Sequence, residues 1–102
     1  MTLLHLALQS EWEHGQHDGR YTPARFAADG FVHCCDDLAT AHAIARAHYA
    51  EAAEPVLLVR LNEAALDVEV TREARGGLRF PHVHGSIPLT AVISVQALDA
   101  GG

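Results

Sequence analysis

Hydrophobic residues reach this chain in strand-sized pieces. Segments 3–8, 31–35, 56–61, 66–70 and 91–96 are five or six residues long, and polar or turn-forming stretches separate them. Strands are commonly that short, whereas a helix needs roughly 10–12 residues, and only the Ala-rich stretch 38–53 offers that many. Short strands interspersed with one full helix and one or two short ones point to a single α+β domain. The longest uninterrupted aliphatic run, Val56-Leu57-Leu58-Val59, has four residues, against roughly 20 for a helix that crosses a bilayer. No membrane association is expected. The start Met1-Thr2-Leu3-Leu4-His5 lacks the basic residues of a secretory signal, so a cytoplasmic location is expected.

With 102 residues the chain is sized for one domain, expected over residues 2–99 with 100–102 as a frayed end. At 49% hydrophobic and 20% charged it has the composition of an ordinary globular protein rather than a disordered one. Seven arginines and no lysine face 13 acidic residues, so the net charge is 7 − 13 = −6. That balance, without a basic run, argues against binding DNA along its backbone but still allows a small anionic ligand held by a local cluster. Cys34 and Cys35 are adjacent and staple nothing distant, so they read as free thiols. A two-domain glutathione transferase does not fit in 102 residues.

Leu4, Leu6 and Leu8 alternate with Leu3, His5 and Ala7, as in a strand buried on both faces, which puts His5 on the side of Leu3 and Ala7. Ser10-Glu11-Trp12-Glu13 matches a capping box and predicts a short helix from about Glu11 to Gly15 or Gly19. Gly19-Arg20-Tyr21-Thr22-Pro23 reads as an extended loop, and Pro23 can open a second short helix through about Ala28 that Gly30 ends. Phe31-Val32-His33-Cys34-Cys35 then forms a strand with Phe31, His33 and Cys35 on one face. Asp36 or Asp37 caps the main helix, whose Leu38, Ala41, Ala45 and Tyr49 fall near one stripe. Segment 56–61 is expected as a central strand, 66–70 as a strand with one wet face, Gly76-Gly77 as a turn or loop, and 91–96 as a closing strand.

Eight histidines are the unusual count. His14, His17, His42 and His48 fall in helical or loop-like segments and read as solvated bystanders. His5, His33, His82 and His84 occupy short apolar segments, and if 82–84 is extended, His82 and His84 point to the same side. Such an H-x-H pair can present two imidazoles to a metal, with His5, His33 or a thiolate completing the set, or can simply hydrogen-bond to backbone and ligand. A Cys–His nucleophilic pair is a further possibility, although no turn into a helix N-terminus supports it. Neither G-x-G-x-x-G nor a P-loop is present.

Read in order, His5, Trp12, Gly19-x-Tyr21, Gly30-Phe31-Val32-His33-Cys34-Cys35, Val56-Leu57-Leu58, Glu73, Phe80-Pro81-His82-Val83-His84-Gly85 and Ala91-Val92 closely resemble the bacterial domain-of-unknown-function 952 family. The resemblance covers almost the whole chain, and its two specific signatures are a G-F-I-H-C-S type motif and an F-P-H-[LI]-Y-G type motif. That family is similar in strand order and motif placement to the ADP-ribosyltransferase-like superfamily, which includes RNA 2′-phosphotransferases and H-Y-E class NAD-using enzymes. The resemblance implies a curved, split β-sheet with two to three helices and a cleft for NAD or an ADP-ribose-like group. It implies that His5 binds ribose or phosphate, that Tyr21 and His33 line the same cleft, and that His82 joins them from a later strand or loop. Glu73 is the implied carboxylate that holds a ribose hydroxyl and stabilises an oxocarbenium-like transition state, with Glu69 the competing assignment. The surrounding Thr71-Arg72-Glu73-Ala74-Arg75 also reads as a solvated charged loop.

The catalytic set implied is therefore Glu73, His33 and His82, and the ligand-binding set His5, Tyr21, Cys35 and His84, with no metal. Cys35 stands where the family usually has Ser and His84 where it usually has Tyr. The expected function is that of an NAD- or nucleotide-phosphate-binding enzyme acting at a ribose, a transferase or NAD glycohydrolase. Its partner would be a small phosphate-bearing nucleotide, with NAD as ligand or substrate. A non-catalytic module for an ADP-ribose-like metabolite and a His-rich metal protein are the alternatives. On any ligand-site reading, His5, His33 and His82 are expected to converge on one cleft.

Overall fold

The first strand, β1 (Thr2–Leu8), is buried from Leu3 to Ala7, as its two-sided apolar alternation requires. The computed structural model describes residues 1–98; the expected frayed end, 100–102, lies outside them. Helix α1 (Gln9–His14) follows directly. Its capping box does not form. Instead the Glu54 carboxylate, 44 residues away, accepts from the Ser10 backbone N–H at 2.7 Å and from the Ser10 hydroxyl at 2.9 Å. These bonds hold the Glu54 carboxyl below its ordinary pKa.

Residues 16–21, expected as the end of the short helix and the start of an extended loop at Gly19, form a small hairpin of β2 (Gln16–His17) and β3 (Arg20–Tyr21). Its two-residue turn, Asp18-Gly19, has φ of 52° and 75°, the left-handed pair that a tight hairpin needs and that Asp-Gly tolerates. Helix α2 (Phe26–Asp29) starts later than Pro23 and ends at Gly30, where φ is 79°. Strand β4 (Val32–His33) leads into α3 (Leu38–His48), whose N-cap is Asp37, accepting from the Thr40 N–H at 2.7 Å. The helix stops at Tyr49, short of residue 53.

Strand β5 (Val56–Asn62) and a turn of 3₁₀ helix (Glu63–Ala65) precede β6 (Val70–Arg75), β7 (Leu78–Val83), β8 (Ile87–Pro88), a second 3₁₀ turn (Leu89–Ala91) and β9 (Val92–Ala97). The strand expected at 66–70 instead begins at Val70 and runs through the charged residues read as a loop. Leu66, Val68 and Val70 do pack against the core, but pairing is fixed elsewhere. The Gly76-Gly77 turn, with φ of 58° and 83°, sets Arg75 opposite Leu78 and Val70 opposite Val83.

All strand pairs are antiparallel, in the orders β1-β5-β9, β4-β7-β6 and β2-β3-β8. The first two sheets join at one bridge, where Leu4 and Cys35 exchange two backbone hydrogen bonds of 2.8 Å. The described residues thus form a single α+β domain with three α-helices and three three-stranded sheets, with a split between β1 of the first and β4 of the second. One core layer packs Leu4, Leu6, Val56 and Leu58 with Cys35 and with Ala41 and Ala45 of α3. The opposite faces of β1 and β5 supply Leu3, Val59 and Leu61 to a second layer with Tyr21, Val32, Cys34, Val83 and Ile87. Among the described residues no helix is long and apolar enough to cross a membrane.

Candidate functional site

His5 sits at the split, and it is buried to 5% exposure. Its Nδ1 is 2.7 Å from the His33 carbonyl, which can only accept, so Nδ1 carries the proton. The neutral ring then offers its Nε2 lone pair to the Tyr21 hydroxyl at 3.3 Å. Burial pushes the His5 pKa down to about 4, although the bond to the His33 carbonyl opposes the shift. Tyr21 is fully buried against Trp12, at 4.5 Å between ring centroids, and burial pushes its phenol pKa up. These two expected ligand contacts therefore form an interior pair.

The outer face of the β4-β7-β6 sheet is different. Val32 opposes Val83 and His33 opposes His82. The two valines are buried, so the two histidines point the other way. Cys34 N–H donates to the Pro81 carbonyl at 3.1 Å, making the intervening His33–His82 pair one without mutual backbone bonds, the kind in which side chains lie closest. Their ring centroids are 5.9 Å apart. Phe31 stacks on His82 at 3.8 Å and 11°, and its centroid is 4.5 Å from that of His33 and 6.1 Å from that of His84. His84 lies 6.5 Å from His82, and its Nε2 is 2.7 Å from the Thr71 hydroxyl. Partial burial lowers the His82 pKa, with the neighbouring His33 acting in the same direction and Glu73 against both.

The structure thus gathers His33, His82 and His84 around Phe31 but leaves His5 on the inner side, tied to them only through the His33 carbonyl. The three-imidazole cleft of His5, His33 and His82 does not form, because burial of β1 on both faces draws the His5 ring inward. Cys35 is corrected as well. Alternation does place it on the side of Phe31 and His33, but there it is 2% exposed, packed with Ala41 and Ala45. Burial lifts its pKa to about 12 and raises that of Cys34 too, so both are thiols at neutral pH and neither is an activated nucleophile.

Glu73 is exposed on β6 opposite Phe80, on the same side as Thr71 and His82. The Glu69 carboxylate is also exposed, while its backbone carbonyl accepts from the His84 N–H at 2.8 Å. Of the β6 arginines, Arg72 turns to the other side, where it binds Glu63 and Asp36, whereas the Arg75 charge acts on His82.

Sequence reasoning missed Asp29. Its Oδ2 accepts from His33 Nε2 at 2.9 Å, and Arg25 Nε is 3.5 Å away. The spacing of four residues was visible, but Gly30 ends the helix between them, and nothing then fixes the geometry of the pair in advance. Also missed was a groove of about 330 Å³ between α3 and β7, lined by Ala39, Thr40, Ala43, Ile44, Ala47, His48, Leu78 and Phe80. Phe80 joins it to the imidazole face, because it lies two residues before His82 on the same strand. Among the described residues no three His, Cys, Asp or Glu side chains are arranged to hold a metal ion.

Comparison with known proteins agrees with this architecture. The crystal structure of protein CC0527 from Caulobacter crescentus is similar at a TM-score of 0.72 and 24% identity, over 97% of this chain and 87% of that one. A double mutant of that protein is similar at a TM-score of 0.71 and 23% identity, with the same coverage. At those identities the likeness shows the fold. No curated protein matches the chain. The model of the family described as protein of unknown function, DUF952, matches residues 6–95, which span both histidine motifs, and the chain belongs to that family.

Proposed function

We propose that the outer face built from Phe31, His33, His82 and His84 binds a small phosphate-bearing nucleotide, with NAD the first candidate, and that Glu73 acts at its ribose. The observation that carries this reading is the gathering of three imidazoles around one phenyl ring on the open side of a sheet, in a protein of net charge −6. An acidic protein that concentrates its cationisable groups this way offers a local site for an anion. Imidazole N–H groups donate to phosphate or ribose oxygens, Arg75 adds a permanent positive charge, and Phe31 and the adjoining groove offer flat apolar surface to a base. When the C–N bond from ribose to nicotinamide breaks, positive charge develops on the sugar, and the Glu73 carboxylate would stabilise it. His5 and Tyr21 serve this site from behind, holding the His33 main chain in place.

A second reading, a binding module without turnover, is favoured by the exposure of Glu73, since water screens a carboxylate that is not enclosed. The test is a heteronuclear NMR titration with NAD, ADP-ribose and inorganic phosphate, followed by an assay for released nicotinamide. The expected result is saturable shifts at His33, His82 and His84 that tighten as pH falls from about 8 to about 6, because an anion favours imidazolium. Shifts centred elsewhere, or no response to any nucleotide, overturn the reading. Binding without nicotinamide release from wild-type protein selects the binding module.

A further inference from the structure

We propose that Asp29 is a positioning residue for His33, holding its ring with the proton on Nε2 so that Nδ1 is free to accept a proton from a water or hydroxyl acceptor. The inference rests on the nucleotide reading above and names the acceptor side of that reaction. Three independent contacts immobilise His33. Its carbonyl accepts from the buried His5 ring at 2.7 Å, its imidazole packs against Phe31 at 4.5 Å between centroids, and its Nε2 meets Asp29 Oδ2 at 2.9 Å. Asp29 is the sheltered member of the pair, with its side chain 19% exposed against 57% for His33. It is itself steadied by Arg25 at 3.5 Å.

A carboxylate only accepts, so Nε2 must carry a hydrogen, and in the neutral ring the lone pair is left on Nδ1. Nδ1 makes no hydrogen bond among the described residues. A fixed carboxylate, an oriented imidazole and an open basic nitrogen form the arrangement that lets histidine act as a general base. In the proposed step the acceptor O–H bond breaks and its proton passes to Nδ1 while the oxygen bonds to ribose C1′. The C1′–N bond breaks with its electron pair returning to the pyridinium nitrogen, so nicotinamide leaves neutral and no oxidant or reductant is consumed.

The experiment uses the full chain and its Asp29→Ala and Asp29→Asn variants. Long-range ¹H–¹⁵N correlation reports the His33 tautomer without ligand, and nicotinamide release is measured over a range of NAD concentrations. The expected result is a dominant Nε2–H tautomer in wild type that is lost in Asp29→Ala. Nicotinamide release should fall at least about 10-fold in kcat while KM for NAD stays within about threefold, because a positioning residue acts on proton transfer and not on binding. Asp29→Asn keeps an amide oxygen for Nε2–H, so it should retain the tautomer and more activity than Asp29→Ala, which a merely structural role would not require. An unchanged tautomer in Asp29→Ala, or equal release rates in all three proteins, overturns the proposal. Wild-type protein that binds NAD without releasing nicotinamide overturns the proton-transfer role alone. Failure to bind NAD overturns the nucleotide reading and that role with it, and the tautomer arm then judges the hold of Asp29 on the ring.

Discussion

His5 and His82 are both strand histidines flanked by apolar neighbours, yet the molecule treats them oppositely. His5 is enclosed, neutral and committed at both nitrogens, whereas His82 faces outward among His33, His84 and Phe31. The difference comes from the strands. Both faces of β1 are covered, so a histidine there must satisfy its polar atoms internally or cost the fold a buried, unpaired group. The β4-β7 pair is covered on one side only, so its outward histidines are free to meet a ligand. The inner pair is therefore expected to answer to stability measurements and the outer cluster to ligand measurements.

The largest effect expected on the inner side is that of Tyr21→Ala. The side chain is fully buried, packs on Trp12 and bonds to His5, so its removal should destabilise the fold by about 3–5 kcal/mol, measured by urea unfolding. Gly15 presses on the same ring, since a Cβ there would fall 2.7 Å from a Tyr21 ring carbon and 2.6 Å from the Thr22 carbonyl oxygen. Gly15→Ala should accordingly cost about 1–3 kcal/mol by overpacking. Loss of under about 1 kcal/mol in Tyr21→Ala would break the comparison, because the inner pair would then hold nothing together.

Next in size is a pH effect. The His5 pKa drops from 6.5 to about 4 on folding, so the unfolded chain binds the proton more readily than the native one. The stability tied to neutral His5 is then fully present above pH 6.5, declines as pH falls, and is lost on passing about pH 4. Each unit is worth about 1.4 kcal/mol, so the expected loss between pH 6.5 and pH 5 is about 2 kcal/mol. His5→Gln should be less stable at pH 7 but should show a much flatter profile across that interval. A wild-type profile already flat between pH 7 and pH 5 would mean that the ring is open to protonation, and the contrast between His5 and the outer histidines would fail.

Much of the inner region was legible in the sequence. Two-sided alternation disclosed β1, the aliphatic run disclosed β5, and Asp37 and the alanines disclosed α3, because burial and capping leave local signatures. The H-x-H pair was legible for the same reason, since alternation fixes which residues share a side. The rest depended on contacts between distant segments. Ser10 is served by Glu54 rather than by its own capping box, β6 takes its register from a Gly-Gly turn, and Asp29 meets His33 only because Gly30 reverses the chain. Two-sided alternation already put His5 on a covered side, but it did not disclose the partners that would satisfy its ring there, since the His33 carbonyl and the Tyr21 hydroxyl come from segments 28 and 16 residues away.

The smallest stability effect is expected at His84. His84 is exposed and its side-chain partner is the Thr71 hydroxyl at 2.7 Å, so His84→Tyr should change stability by no more than about 0.5 kcal/mol. Its effect on an anionic ligand should be plain. Tyrosine keeps a hydroxyl that can donate a hydrogen bond but cannot become a cation by taking up a proton as an imidazole can, so the site loses one cationisable group. Phosphate-bearing ligands should still bind at pH 8, while the tightening toward pH 6 should shrink, as read by titration calorimetry in buffers of different ionisation enthalpy. An unaltered proton uptake would show that His33 and His82 carry the whole response, confining the anion to the rings that contact Phe31 most closely. A large loss of stability would instead make His84 a structural residue like His5, and the outer cluster would shrink to two.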